Sequence, residues 1–135
     1  MSLRAIPVTV IPFILYFVLA LVGVTLENSL VGDGINMMSG GNWKFNWGDL
    51  LLVITMISLF VEILKATYTS TVSLVDHGLS MVVFIAALVA FLLVPQAATS
   101  VFFLILVALL IDVVAGFTIG IRVAKRDIGL GTGDQ

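Results

Sequence analysis

Ionisable residues stand inside stretches of this sequence that are otherwise apolar, and they are the side chains that could do chemistry. Glu62, Lys65, Asp76 and His77 fall within FVEILKATYTSTVSLVDHG, and Asp112 stands in VALLIDVVAGFTIG. Carboxyl, ammonium and imidazole groups withdrawn from water can hold an ion or pass a proton. The same groups could also mark the point where the chain leaves an apolar environment and turns back into it.

The pair Glu62 and Lys65 is predicted to lie near the end of a membrane-spanning helix. Counted from Trp47, Glu62 lies roughly 22 Å and Lys65 roughly 27 Å along the helix, whereas the apolar layer of a bilayer is about 30 Å thick. Both side chains can therefore extend toward the headgroups, and their i, i+3 spacing allows an ion pair. We favour this membrane-exit interpretation, and a functional ionisable pair is the alternative.

His77 and Asp112 have different predicted environments. His77, next to the Asp76 and Gly78 turn, is predicted to be a solvated interfacial histidine, with a ligand or proton relay as the alternative. Asp112 lies roughly 18 Å from the start of its helix, so it must be protonated, paired, or turned toward protein or water. We predict a hydrogen-bonded aspartate that joins helices through Thr55 or Ser58. An ion or proton role, and contact with a cofactor or partner subunit, are the alternatives.

Small residues recur every four positions around Asp112. The stripe gives the fourth apolar segment a predicted helix-packing face, formed by Ala108, Asp112, Gly116, Gly120 and Ala124. In lipid, small residues allow helix backbones to approach closely, and a GxxxG pair is typical of such contacts. The partner helix could belong to this chain, to a second copy or to another protein.

The composition places these residues in a membrane protein. The chain has 135 residues, of which 61% are hydrophobic and only 10% charged, and its mean hydropathy is +1.25. A soluble domain carries about 25% charged residues. The absence of cysteine excludes disulfides and thiolate metal sites. A net charge of −2 without a basic cluster argues against nucleic acid as a partner.

The elements that must position the ionisable groups are helices. We predict an all-α integral membrane protein, a single membrane domain over residues 1–135, with four transmembrane helices in an antiparallel bundle. The predicted spans are residues 6–26, 50–68, 79–94 and 100–123. The first apolar run is long enough to span a bilayer, so we expect an uncleaved first helix rather than a signal peptide.

Basic residues set the predicted orientation. With four spans, one side of the membrane receives Arg4, Lys65, Arg122, Lys125 and Arg126. The positive-inside rule then places both termini in the cytoplasm, in a cell membrane that we take to be the bacterial plasma (inner) membrane. The loop 27–49 faces outward, and residues 127–135 form a mobile tail. A three-span topology would separate Arg4 from the other basic residues and fits less well.

The outer loop carries aromatic residues next to the second span. Trp43, Phe45 and Trp47 are predicted interfacial anchors, because aromatic rings favour the membrane–water boundary. A surface for a partner protein, a quinone or a pigment ring is the alternative. An amphipathic stretch on the membrane surface is predicted from Leu30, Val31, Ile35, Met37 and Met38.

No motif in the sequence indicates catalysis. A nucleophile–base set, metal-ligand spacing and a nucleotide-binding loop are all missing, so we expect no enzyme and assign no cofactor. The size is similar to that of small four-helix drug exporters, but the first predicted helix lacks their central carboxylate. The first hypothesis is an accessory or structural subunit that packs in or against a larger membrane complex. A homo-oligomeric transporter or channel with Asp112 as its intramembrane ionisable group is the second, and a holin-like permeabilising protein is the third.

Besides the lipid bilayer, the sequence therefore indicates a partner membrane protein or a second copy of the chain. Either contact would be made through the fourth helix.

Overall fold

Four helices make up most of the chain. The computed structural model describes residues 6–67 and 71–132, except for the side chains of residues 71–73, 124 and 126–132. Within these ranges the elements are α1 Val10–Val22, β1 Ile35–Asn36, β2 Asn42–Trp43, α2 Trp47–Lys65, α3 Thr71–Leu93 and α4 Ser100–Thr132. A 3₁₀ turn, Pro95–Ala97, connects α3 to α4.

Membrane-spanning length is reached by three of the described helices. The segments that are long and apolar enough to cross a membrane are Trp47–Lys65, Leu74–Leu93 and Ser100–Val123. The fourth apolar helix, α1, has 13 residues and is therefore about 20 Å long, which is less than the apolar layer of about 30 Å. The prediction of four apolar helices is confirmed, with one of them shorter than expected.

Local sequence accounts for the short α1. The predicted span covered residues 6–26, but the helix begins at Val10, shortly after Pro7. It ends at Gly23, whose φ of 86° lies in the left-handed region. Glycine adopts this conformation without a steric penalty, and it commonly closes a helix. The N–H of Gly23 accordingly donates to the carbonyl of Ala20.

The start of α3 differs more from the prediction. The third span was expected at residues 79–94, whereas the helix begins at Thr71. Asp76 and His77 therefore lie inside the helix rather than in a turn before it. At the C-terminal end, the predicted mobile tail 127–135 overlaps α4, which continues to Thr132, and residues 133–135 lie outside the described residues.

The apolar core is built around α4. In its spanning segment 44% of the residues are buried, against 28% in α2 and 22% in α3, so α4 is the central helix. Phe102 is fully buried, and its ring meets Tyr16 of α1 edge-on with the centroids 4.9 Å apart. It also stacks on Phe91 of α3 at 6.3 Å. Ile105 and Leu109 continue the same buried face.

A hydrogen-bonded tyrosine in the middle of α1 connects this helix to the rest of the protein. The hydroxyl of Tyr16 lies 2.6 Å from the carbonyl oxygen of Gln96, to which it donates, and 2.8 Å from Oγ1 of Thr99. Tyr16 is only 2% exposed, so these partners satisfy a hydroxyl that has left water. The contact joins α1 to the connection between α3 and α4.

The long loop before α2 contains a strand pair, and the amphipathic stretch on the membrane surface stays a prediction. Ile35 pairs with Trp43 and Asn36 with Asn42 in antiparallel register. Gly40, with φ of 90°, provides the tight turn between the two strands. The loop exposes large apolar side chains, namely Leu30, Val31, Ile35, Met37, Met38 and Trp43.

Candidate functional site

Polar side chains from every helical segment meet in one buried place, which we call the buried polar cluster. All but one of its members are at most 4% exposed, and the remaining one, a lysine, has a side chain that is 19% exposed. The members are Thr9 at the start of α1, Glu62 and Lys65 of α2, Asp76, His77 and Ser80 of α3, and Asp112 of α4.

Lys65 is the hub of the cluster. Its Nζ atom lies 3.1 Å from Oε1 of Glu62 and 2.8 Å from Oδ1 of Asp76. It also donates to the carbonyl of Ile6 at 2.9 Å. An ammonium group has three N–H donors, so these contacts use all of them. The ion pair with Glu62 therefore exists within a network that joins α1, α2 and α3.

Glu62 is not extended toward the headgroups, because it finds its partners inside the protein. The residue is fully buried. Its Oε1 atom accepts hydrogen bonds from Lys65 and from the backbone N–H of Val8. Val8 lies just before α1, where backbone N–H groups lack partners within the helix. The Oε2 atom has no hydrogen-bond partner among the described residues.

His77 is also buried, contrary to the solvated position expected for it. Only 4% of the residue is exposed, because α3 begins early enough to carry this position into the helix packing. Its Nδ1 atom is 3.9 Å from Oδ2 of Asp76, which is longer than a hydrogen bond. Both that Oδ2 atom and Nε2 of His77 are buried without a partner in the described part of the chain.

Asp112 joins helices, but through a different residue from those expected. Its Oδ2 atom accepts a hydrogen bond of 2.9 Å from Oγ1 of Thr9. Thr55 instead donates to the carbonyl of Leu51 in its own helix at 2.7 Å, which is a common arrangement for threonine inside helices. Ser58 is buried, and its hydroxyl makes no described contact with Asp112.

The stripe of small residues on α4 faces another helix of the same chain. A Cβ atom added to Gly116 would lie 3.0 Å from Nδ1 of His77, and one added to Gly120 would lie 3.5 Å from Nε2. The imidazole of α3 thus occupies the groove that the glycines leave. Ala108 is buried as well, and the side chain of Ala124 lies outside the described residues.

Comparisons with family models, with curated proteins and with solved structures found no match for this chain.

The predicted aromatic anchors lie apart from the buried polar cluster. Trp43 is 48% exposed, and its ring meets that of Phe45 at 5.6 Å in the loop. Trp47 is the first residue of α2, at the opposite end of that helix from Lys65. The aromatic residues and the ionisable residues therefore form separate features.

The charges of the cluster determine what it can bind. It contains the carboxyl groups of Glu62, Asp76 and Asp112, together with one ammonium group and the imidazole of His77. Among the described residues, no group of three metal-ligating side chains is placed to hold a metal ion. The arrangement suits protons or small cations, which would offset the excess of acidic groups in an apolar layer.

Sequence reasoning missed Thr9, Asp76 and Ser80 as members of the cluster. A usable signal was the i, i+4 spacing of Asp76 and Ser80, which places both on one helix face. Thr55, Ser58 and Glu62 likewise follow one face of α2. A polar face on a helix that is otherwise apolar indicates contact with protein or water rather than with lipid.

Proposed function

We propose that this protein is a small multi-pass membrane transporter or channel in which a proton or a small cation binds at the buried polar cluster. The observation that carries the proposal is the excess of buried carboxyl groups over the ammonium of Lys65. Ionisable groups within membrane segments are costly, and they commonly mark ion or proton pathways.

The unpaired atoms of the cluster support binding rather than a purely structural role. In a structural network every buried polar atom should have a partner, because an unsatisfied one costs about 1–3 kcal/mol. Oε2 of Glu62 and Oδ2 of Asp76 have none among the described residues. An incoming proton or cation would supply the missing interaction.

The depth of the cluster suits a pathway. At 1.5 Å per residue, Glu62 is roughly 22 Å from the start of α2, and Asp112 is roughly 18 Å from the start of α4. Both residues therefore lie within the apolar layer, which is about 30 Å thick. Lys65 retains some exposure at one end, whereas the buried hydroxyls of Ser58 and Thr55 continue along α2 toward the other.

The proposal includes an antiparallel bundle with both termini in the cytoplasm of a bacterial cell. Thr9 contacts Asp112 while Tyr16 contacts Thr99, so the chain directions of α1 and α4 along these contacts are opposite. The basic residues follow the positive-inside rule in this orientation. The exposed edge of the cluster at Lys65 then opens toward the cytoplasm.

Ion flux in proteoliposomes tests the proposal. We expect the protein to dissipate an imposed proton or alkali-cation gradient at least about tenfold faster than empty liposomes. The variant Asp112→Asn should lose at least about nine-tenths of that flux, which corresponds to a transport barrier raised by about 1.4 kcal/mol. Asp33→Asn, in the exposed loop, is the matched control and should transport normally. Flux equal to that of empty liposomes, or full flux in Asp112→Asn, would contradict the proposal.

An accessory subunit of a larger membrane complex is the second candidate. The supporting observation is the strand-pair loop, which exposes Met38 completely and Trp43 by about half. Exposed aromatic residues and methionines are enriched where proteins associate. This surface, rather than the stripe on α4, is the better candidate for contact with a partner, because α3 of the same chain covers Gly116 and Gly120.

Purification in a mild detergent tests the second candidate. We expect a complex of defined composition that is larger than the single chain and that is lost in a Met38→Ala, Trp43→Ala double variant. Met56→Ala, on the exposed face of α2, controls for loss of a methionine elsewhere and should keep the complex. Elution of the native chain as a stable monomer would count against an accessory role.

A further inference from the structure

We infer that the ion exchanged at the buried polar cluster is the proton, and that His77, seated on Gly116 and Gly120, is the group that takes it up. The inference rests on the proposed transport function and makes it more specific. It depends on the position of Lys65, on the packing of the imidazole against the two glycines, and on the buried polar atoms that lack hydrogen-bond partners among the described residues.

Lys65 already occupies the place where an alkali cation would bind. Its ammonium stands between the carboxylates of Glu62 and Asp76, at 3.1 and 2.8 Å. A second cation bound to the same carboxylates would lie close to this positive charge, and the repulsion is severe where the dielectric constant is low. A proton avoids this problem because it binds covalently to one atom and neutralises it.

The glycines of α4 make room for an imidazole. The added Cβ atom at Gly116 would approach His77 Nδ1 to 3.0 Å, so a side chain there requires the ring to shift by a few tenths of an ångström. Phe117 lies beside the ring, with the centroids 5.7 Å apart. The imidazole of His77 therefore packs against the GxxxG pair of the same chain, one helical turn beyond Asp112 in α4.

The imidazole lies near a carboxylate oxygen that has no partner among the described residues. Nε2 of His77 and Oδ2 of Asp76 are buried and lack partners among the described residues, and Nδ1 is 3.9 Å from that oxygen. A protonated imidazole donates at both nitrogens. A small movement of the ring would then give Oδ2 of Asp76 a charge-assisted hydrogen bond.

Groups on each neighbouring element face this proton. Asp76 shares α3 with His77, Glu62 and Lys65 come from α2, and Asp112 comes from α4. Thr9, before α1, reaches the site through its hydrogen bond to Asp112. Carboxyl groups and one ammonium group therefore surround the place where the proton would be held.

The chemical step is a reversible proton transfer. A water molecule or hydronium ion at the exposed edge gives a proton to a ring nitrogen, where an N–H bond forms as an O–H bond breaks. The proton then leaves to a carboxylate oxygen or to water, and neutral imidazole is restored. No other bond changes, and no group is oxidised or reduced.

Separate proton and cation assays test the inference. Proteoliposomes with an internal pH dye, energised with potassium and valinomycin, should show proton flux, whereas uptake of radioactive sodium or rubidium should equal that of empty liposomes. His77→Gln should slow proton flux at least about tenfold, since a positioned proton-transfer group contributes about 10²-fold or more. Gly116→Ala should slow it as well, because its Cβ displaces the ring.

Gly78→Ala is the matched control. This residue follows His77 in the helix, and a Cβ atom there meets nothing within 4 Å, so proton flux should be normal. Sodium or rubidium uptake that requires Asp112, without proton flux, would leave the transport function standing and overturn the inference. Normal proton flux in folded His77→Gln would also overturn it. If no ion moves at all, the proposed function fails and the inference with it.

A direct titration provides a second readout that does not depend on flux. The chain contains one histidine, so protein labelled with nitrogen-15 in histidine and purified without a histidine tag reports on His77 alone. In lipid nanodiscs, the imidazole signal should change reversibly as the pH of the buffer is varied, and Asp76→Asn should alter that response. An imidazole signal that does not respond to pH would overturn the inference.

Discussion

Replacing Lys65 with methionine is expected to destabilise the folded protein by about 3–5 kcal/mol, the usual cost of removing one partner from a buried ion pair. The reason is that Glu62 and Asp76 would lose the ammonium between them, so these buried carboxyl groups would stay charged without a partner or take up protons, and either change costs free energy. Equilibrium unfolding of detergent-solubilised protein by increasing amounts of SDS, followed by tryptophan fluorescence, measures the change. Lys44→Met, at an exposed loop position, should leave the midpoint unchanged.

A charge-balancing variant shows whether electrostatics causes the loss. Adding Glu62→Gln and Asp76→Asn to Lys65→Met removes the uncompensated charges, so it should recover more than half of the lost stability. Buried ionic groups can often be replaced together at little cost. If the triple variant is no more stable than Lys65→Met, the lysine stabilises the fold mainly through its packing and its hydrogen bond to Ile6.

Replacing Phe102 with alanine is the second large effect, with an expected loss of about 2–3 kcal/mol, at or below the lower end of the range for a buried phenylalanine. Lipid is as apolar as the protein core, so exclusion from water contributes little. The cost arises because the ring no longer packs against Tyr16 and Phe91, and a void cannot replace that dispersion attraction. The same unfolding assay measures it.

Phe103→Ala is the natural comparison. Phe103 is the next residue of α4, but it is 47% exposed whereas Phe102 is fully buried. We therefore expect a loss below about 1 kcal/mol, because lipid can occupy the space of a side chain that already faces it. Equal losses at the two positions would mean that α4 does not present Phe102 to the core in the membrane.

The helices themselves were predictable from the sequence. A long apolar run must be helical in a bilayer, since each backbone N–H and C=O needs a partner within the segment. The predicted second and fourth spans, 50–68 and 100–123, accordingly correspond to α2 and to the start of α4. The sequence also singled out Asp112, because one carboxyl group within aliphatic residues is conspicuous.

The cluster was not predictable in the same way, because it depends on contacts between distant segments. The sequence indicated that the chain leaves the membrane at Asp76 and His77, since their own segment offers no hydrogen-bond or ion-pair partner for them. In the folded protein Lys65 of α2 pairs with Asp76, and the glycines of α4 accommodate His77. Hydropathy measures the preference of each residue for water or for an apolar phase. It does not report which polar groups contact one another in the folded protein.

The short α1 has a consequence for how the protein is made. A helix of 13 residues does not cross a bilayer by itself, because about 20 helical residues are needed. Its N-terminal end and its middle contact residues that leave the ribosome much later: Thr9 has a partner 103 positions away and Tyr16 one 80 positions away. Docking of α1 in the membrane must therefore follow synthesis of α4, which makes it a late step of biogenesis.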